Sequence, residues 1–209
     1  MAFPNPLLVV VSGPSGVGKS TIVRALAKAQ PQVVPIVTTT TRERRPDEID
    51  GVHYHFMDEA GFGRLRDEGG LLECAEVHGH WYGTPIGQVR GILAAGRDAI
   101  LTIDPQGARS VRRLVPDALL IFVMPPTIEA LEERLERRGS EDEASLALRR
   151  HNAVAEMEAS GDYDYVVVND VLERCVGELA AIVMAERAKL ARRRGAIGPI
   201  IQSFSERVS

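Results

Sequence analysis

The strongest indicator of the fold is the glycine-rich run Gly13-Pro14-Ser15-Gly16-Val17-Gly18-Lys19-Ser20. It matches the pattern G-x-x-x-x-G-K-S/T, in which backbone N–H groups point into a concave loop. A short apolar run at 7–11 precedes the loop and helix-forming residues at 20–29 follow it, so we expect a buried strand before the loop and a helix after it. The helix dipole then favours negative charge at the loop. The sequence therefore predicts a cradle for a polyphosphate.

Two side chains at the end of this run have predicted roles in phosphate chemistry. Lys19 would bridge the β- and γ-phosphates of a nucleotide, and the Ser20 hydroxyl would ligate Mg²⁺. A plain turn between a strand and a helix needs one or two glycines, but no lysine and serine at these fixed positions. The loop alone does not separate a kinase from a GTPase, an ATPase motor or a chemical sensor, so the second substrate must be sought elsewhere in the chain.

The composition is typical of a folded globular protein. The chain has 209 residues, of which 44% are hydrophobic and 26% charged, which fits one domain with inserted subdomains. Its net charge of −4 provides no basic field for nucleic acid or an anionic membrane. The two cysteines, Cys74 and Cys175, lack the spacing of a zinc or redox motif. We find no targeting or membrane segment in the sequence and expect a cytoplasmic protein.

Apolar runs and helical stretches alternate along the chain. The runs lie at 7–11, 99–103, 119–124 and 165–168, and helical patterns, notably at 86–95 and 128–138, separate them. This alternation predicts βαβ units with right-handed crossovers. The expected fold class is α/β, a P-loop three-layer sandwich with a parallel sheet.

Two segments differ from this alternation. Residues 38–85 contain short, half-polar strands interrupted by glycines, which predicts an inserted β-rich lobe. An apolar stripe through 171–194 predicts one amphipathic helix that covers the core, with pairing of two chains as an alternative role. The end of the chain, 195–209, carries Gly198-Pro199 and is expected to fray.

The inserted lobe contains residues that suit a phosphate monoester. Arg42 and Arg45 can each fork onto phosphate oxygens, and Tyr54 can donate a hydrogen bond to the same group. The alternative is a basic loop that only faces solvent.

Six motifs in this order resemble those of guanylate kinase. They are 13–21, Thr40-Thr41-Arg42-x-x-Arg45-Pro46, Gly51-Val52-His53-Tyr54, Tyr82-Gly83-Thr84, Ile103-Asp104-Pro105-Gln106-Gly107 and Val167-Val168-Asn169-Asp170. The resemblance covers about residues 7–190. It implies the reaction of ATP with GMP or dGMP to give ADP and the nucleoside diphosphate, with Mg²⁺. It also implies a monomer or homodimer without nucleic-acid or membrane partners.

The resemblance further implies three functional regions and their contacts. The P-loop core would comprise 1–37, 86–129 and 155–209, the GMP-binding lobe 38–85, and a helical lid 130–154. ATP contacts are implied at Gly13, Pro14, Ser15, Gly16, Val17, Gly18, Lys19, Ser20, Thr21 and Asn169. GMP contacts are implied at Thr38, Arg42, Arg45, Tyr54, Glu73, Tyr82, Thr84 and Asp104. The implied catalytic residues are Lys19, Arg42 and the lid arginines Arg134, Arg138 and Arg149.

The chemistry of guanine supports one of these implied contacts. Guanine presents donors at N1 and N2, and a carboxylate such as Glu73 can accept from both. Adenine offers the opposite pattern, and a buried carboxylate left unpaired against it would cost much binding energy. Asp104 has an alternative role as the cap of a helix.

Two positions depart from the family pattern. Thr38 replaces a serine but keeps the hydroxyl, whereas Thr102 replaces the first aspartate of the usual Leu-Asp-Ile-Asp. Thr102 lacks a carboxylate, so the role of that aspartate near Mg²⁺ must be supplied differently in this chain. The His-x-His pairs at 53/55 and 78/80 offer zinc as a further alternative, which the resemblance does not require.

Two other functions remain alternatives at this point. A related P-loop kinase of a sugar phosphate would not need the base-reading set of Thr38, Glu73 and Thr84. A guanylate-kinase-like binding module without catalysis would not need the intact pair of Lys19 and Ser20.

Overall fold

The structure, a computed structural model, describes residues 5–77, 79–136 and 156–208. In chain order the elements are β1 (Leu8–Ser12), α1 (Lys19–Ala29), β2 (Val33–Pro35), β3 (Thr39–Thr40), β4 (His55–Phe56), α2 (Glu59–Asp67), β5 (Leu71–Val77), β6 (His80–Pro85), α3 (Ile86–Ala94), β7 (Asp98–Thr102), α4 (Pro105–Leu114), β8 (Leu119–Met124), α5 (Ile128–Glu136), a 3-10 turn (Ala159–Asp162), β9 (Tyr165–Val168), α6 (Leu172–Ala188) and α7 (Leu190–Val208). Within those described stretches, none of the helices has the length and apolar character needed to cross a membrane.

The central sheet has the strand order β2-β7-β1-β8-β9, and every neighbouring pair in it is parallel. Alternate residues of a strand point to opposite faces. Val9 and Val11 of β1 pack with residues of α1 and α6, whereas Val10 packs on the other face with residues of α3 and α4. Since helices cover both faces of the sheet, the predicted α/β sandwich is confirmed.

The carboxyl ends of these parallel strands meet at one edge of the sheet, where ligands bind in open α/β folds. The glycine-rich loop follows β1, Asp104 follows β7, and Asn169 follows β9. Three of the segments that the sequence singled out are therefore brought to the same edge.

A second sheet lies within the segment for which a β-rich insertion was expected. Its strand order is β4-β3-β6-β5. The pair β5–β6 is antiparallel, and β5 also contacts α3 and α4 of the core. The second sheet is thus anchored to the central one through the strand that carries Glu73.

The carboxyl-terminal region differs from the expectation. The predicted single helix over 171–194 is broken at Lys189, and α7 continues through Pro199 to Val208. The described part of the segment for which fraying was expected, 195–208, is therefore helical. The first turn of α7 is tied to the body because Arg192 Nη2 donates to the Asp117 carbonyl at 3.0 Å and Asn5 Nδ2 donates to the Arg192 carbonyl at 3.1 Å.

Candidate active site

A cleft of about 200 Å³ lies between the binding edge of the central sheet and the second sheet. Lys19 lines it on the side of the glycine-rich loop, and Glu73 lines it on the side of the second sheet. The other predicted site residues that line it are Gly13, Ser15, Thr38, Arg42, Arg45, Tyr54, Tyr82 and Asp104. The cleft is thus lined by residues of the glycine-rich loop and by every predicted GMP contact except Thr84. The Thr84 hydroxyl donates to Glu73 instead.

The glycine-rich loop is shaped by close backbone approaches. Gly13 has a φ of 142°, and a Cβ at this position would lie 2.2 Å from the Val123 carbonyl oxygen, so only glycine fits here. Lys19 Nζ donates to the carbonyls of Gly13 at 2.6 Å and Pro14 at 3.1 Å. The lysine ammonium is therefore held at the mouth of its own loop.

An amide of this loop already contacts an anionic oxygen. Ser15 N donates to Glu156 Oε2 at 3.3 Å, and Glu156 also lines the cleft. Sequence reasoning missed Glu156, because a single acidic residue far along the chain has no pattern that connects it to the loop.

Two predicted residues hold the loop from outside. Asn169 Nδ2 donates to the Val17 carbonyl at 2.7 Å, and Arg134 Nη1 donates to the same oxygen at 3.1 Å. Arg134 Nη2 also donates to the Asn169 carbonyl at 2.9 Å. These bonds join α5 and the end of β9 to the loop. The other two predicted lid arginines, Arg138 and Arg149, lie outside the described residues.

Glu73 lines the side of the cleft on which GMP is predicted to bind. It is 7% exposed, and the Thr84 hydroxyl donates to its Oε1 at 2.6 Å. Burial, with a smaller contribution from the nearby Asp104 carboxylate, raises the pKa of Glu73 to about 7 although the Thr84 bond opposes the shift. A Cβ on Gly107 would lie 2.8 Å from Glu73 Oε2. The carboxylate is therefore packed directly against the backbone of α4.

Asp104 has the capping role that the sequence left open. Its Oδ1 accepts from Gln106 N at 2.7 Å and from Gly107 N at 3.1 Å, which caps the amino terminus of α4. Asp104 also lines the cleft, so the cap does not remove it from the site.

The arginines that are predicted to contact the GMP phosphate lie at the other end of this side of the cleft. Arg42 Nη2 donates to Glu48 Oε1 at 2.6 Å and to Glu48 Oε2 at 2.9 Å. The Arg42 guanidinium lies 5.6 Å from the centre of the Tyr54 ring, a cation–π distance. Sequence reasoning missed Glu48, which is one acidic residue in a charged loop. Its relation to Arg42 becomes visible only when the loop is folded.

The predicted metal ligand Ser20 and Thr102, the departure from the family pattern, line a common cleft. Ser20, at the start of α1, and Thr102, at the end of β7, line a second cleft of about 690 Å³ that adjoins the first. Among the described residues there is no group of three or more His, Cys, Asp or Glu side chains that could hold a metal ion. His53 Nδ1 accepts from Ile49 N at 3.0 Å, and His78 lies outside the described residues, so nothing here supports the zinc alternative.

Comparisons with known proteins show what this chain is similar to. The family model described as Guanylate kinase matches residues 5–186. The guanylate kinase of Symbiobacterium thermophilum is 48% identical over 194 residues, which cover 93% of this chain and 92% of that protein. The guanylate kinase of Chromobacterium violaceum is 47% identical over 191 residues and 91% of both chains. A crystal structure of guanylate kinase from Anaplasma phagocytophilum, 32% identical, covers 90% of both chains with a TM-score of 0.77.

Proposed function

The chain belongs to the guanylate kinase family, and from this premise we propose how its residues carry out the reaction. It is a nucleoside monophosphate kinase that transfers the γ-phosphoryl group of ATP to GMP, giving ADP and GDP. The observation that supports the assignment of roles is the shared cleft, which has Lys19 on one side and Glu73 on the other.

ATP would bind with its phosphates in the glycine-rich loop. The amides of the loop and the dipole of α1 favour anionic oxygens, and the contact between Ser15 N and Glu156 Oε2 supports this. On binding, Lys19 would exchange its bonds to the Gly13 and Pro14 carbonyls for the β- and γ-phosphates. Asn169, which bonds to Val17, would border the adenine.

GMP would bind on the side of the second sheet. Glu73 would accept from N1 and N2 of guanine, with Thr38, Thr84 and Asp104 around the base. The GMP phosphate would meet Arg42, Arg45, Tyr54 and Tyr82. None of the proposed base contacts requires the ribose 2′-hydroxyl, so dGMP would be accepted as well.

Closure of a lid would exclude water and prevent hydrolysis of ATP. The proposed lid, 130–154, lies mostly outside the described residues. Arg138 and Arg149 would neutralise the charge of the transferred group. Arg134 would couple lid closure to the loop, because it bonds to the Val17 carbonyl.

The residues at the nucleotide end fit Mg²⁺. This ion is usually held by one or two protein groups together with substrate phosphates and water, rather than by an all-protein cage. The Ser20 and Thr102 hydroxyls share one cleft, and Ser20 would be the protein ligand. Bound Mg²⁺ would neutralise phosphate charge. A cytoplasmic location and a monomeric or homodimeric state remain predictions from the sequence.

A coupled assay of ADP release by the full chain tests the proposal, with GMP, dGMP, AMP, UMP, dTMP and ribose phosphates as acceptors. We expect efficient turnover with GMP and dGMP only, because the buried Glu73 carboxylate would oppose the other bases. Preference for a ribose phosphate would support a sugar-phosphate kinase instead, and absence of turnover with every acceptor would support a binding module.

A further inference from the structure

Glu48 is a buried carboxylate on which the predicted phosphate arginines converge. It is 8% exposed and receives the bifurcated contact from Arg42 Nη2. Glu48 Oε2 also accepts from Arg45 N at 2.9 Å, and the Glu48 carbonyl accepts from Arg44 Nη1 at 2.9 Å. One residue thus contacts three arginines of the same loop.

The position of the Arg42 guanidinium is fixed from two directions. Its Nη2 bonds to both carboxylate oxygens of Glu48, and its carbon lies 5.6 Å and 5.9 Å from the ring centres of Tyr54 and Phe56. Its Nη1 also donates to the Glu43 carbonyl at 2.5 Å. A guanidinium has five N–H donors in a planar fork, so these bonds together still leave N–H donors of the fork for a phosphate. An arginine that is ordered before the ligand arrives loses less conformational entropy on binding.

Glu48 also closes the turn that carries Arg45. Glu48 N donates to the Arg45 carbonyl at 3.1 Å, and Arg45 N donates back to the Glu48 carboxylate. These reciprocal bonds fix the backbone on which the Arg45 side chain is mounted. Burial acts to raise the pKa of Glu48, but the bonds from Arg42 and Arg45 hold that pKa below its usual value. The carboxylate therefore stays ionised at neutral pH.

Arg42 and Arg45 line the cleft beside Lys19, whereas Glu48 is not among the residues that line that cleft and instead lines the adjoining one together with Arg45. We propose that Glu48 is a positioning residue that orients Arg42 and Arg45 toward the phosphate of the acceptor nucleotide without touching it. This inference rests on the proposed function, in which these two arginines bind the GMP phosphate.

The test compares Glu48→Gln with Asp47→Asn in the full chain. Both changes remove one negative charge from the same loop, but Asp47 is exposed. For Glu48→Gln we expect the KM for GMP to rise at least about tenfold, with the KM for ATP within about twofold of wild type, because a neutral amide holds the guanidinium less strongly. Asp47→Asn should keep both values. Glu48→Asp, which restores the charge on a shorter side chain, should recover part of the loss.

Inhibition by guanosine distinguishes a loss of arginine positioning from a general loss of binding at the GMP site. Guanosine carries the base but no phosphate, so its inhibition constant against GMP should stay within about twofold of wild type in Glu48→Gln if only the phosphate end is affected. Equal weakening of guanosine and GMP, or an unchanged KM for GMP, would overturn the inference. If Glu48→Gln does not fold, the same comparison in Glu48→Asp decides. A wild-type chain that does not phosphorylate GMP would instead reject the proposed function.

Discussion

Glu73 and Thr84 are directly opposite each other on the paired strands β5 and β6, and the Thr84 hydroxyl donates to Glu73 Oε1 at 2.6 Å. The proposed base-reading carboxylate is therefore oriented by its own sheet before any nucleotide binds. One carboxylate oxygen of Glu73 is therefore occupied by the Thr84 hydroxyl. The register of the two strands fixes the position of this donor, because a slip of one residue would turn Thr84 to the other face of the sheet.

The raised pKa of Glu73 predicts a pH dependence of GMP recognition. With a pKa of about 7 in the ligand-free protein, Glu73 is mostly protonated below that pH and cannot accept from both guanine donors. We expect kcat/KM for GMP to fall about tenfold per pH unit below pH 7 and to level off above pH 8. Initial rates at low GMP and saturating ATP, from pH 5.5 to 9, measure this. A flat profile across pH 7 would contradict the prediction.

Glu73→Gln should separate the two substrates. The amide can still accept from Thr84, but it presents only one acceptor where guanine offers two donors. We expect the KM for GMP to rise about 10- to 100-fold, as for the loss of a hydrogen bond to a charged group, while the KM for ATP stays within about twofold. Steady-state kinetics with each substrate varied in turn provide the measurement. Equal effects on both constants would remove Glu73 from its proposed role.

The same substitution should stabilise the protein at high pH. Because burial raises the pKa of Glu73 in the folded protein from its ordinary value of 4.5 to about 7, the contribution of this group to stability is full below about pH 4.5 and is lost as pH rises through 7. Glutamine never ionises. The melting temperature of Glu73→Gln should therefore exceed that of wild type at pH 8.5 and match it at pH 5, as thermal unfolding at the two pH values can determine. A lower melting temperature at pH 8.5 would argue against the buried charge.

Gly107→Ala should impair GMP binding while leaving the chain folded. The new Cβ would lie 2.8 Å from Glu73 Oε2, and the side chain of Glu73 can shift to relieve the clash. We expect the KM for GMP to rise about tenfold, equivalent to about 1.4 kcal/mol. Gly87→Ala in α3, where nothing lies within 4 Å of the added carbon, is the matched control and should retain wild-type kinetics. Identical kinetics of the two variants would disprove the close packing.

Asp98 should be a determinant of stability rather than of catalysis. It is 0% exposed, accepts from Leu7 N at 2.8 Å through Oδ1 and forms an ion pair with Arg187 through Oδ2. Asp98→Ala leaves the Leu7 N–H without its acceptor and the partly exposed Arg187 guanidinium without its ion-pair partner, and we expect a cost of about 1–3 kcal/mol. Asp67→Ala removes a surface ion pair with Arg66 and should cost under about 1 kcal/mol. Urea unfolding of both variants tests the contrast.

The parts of the fold that could be predicted from the sequence depend on local pattern. The loop at 13–20 and the strand β8 are recognisable because glycine spacing and continuous apolar runs have one favoured structural outcome. The start of helix α4 is indicated by Asp104 and Pro105, an N-cap and a first-turn proline, and the sequence offers this cap only as the alternative to a ligand role for Asp104. The structure shows that Asp104 caps the helix while lining the cleft.

Parts of the site could not be predicted because they depend on contacts between distant segments. Glu156 meets Ser15 across 141 positions of sequence, and Arg134 meets the Val17 carbonyl across 117. Glu48 is closer to Arg42 in sequence, but the burial that makes their contact strong follows from packing against Tyr54 and Phe56. Neither residue type nor spacing encodes such burial.

The packing of Glu73 against the backbone of Gly107 places the proposed base pocket across the seam between the two sheets. The Glu73 carboxylate belongs to the second sheet, whereas the backbone of Gly107 behind it belongs to α4, which packs on the central sheet. In the proposed function, a nucleobase that displaced the Glu73 side chain would have to push against both β6, through Thr84, and the backbone of α4. Discrimination between bases would therefore rest on the contact between two parts of the fold and not on one flexible side chain.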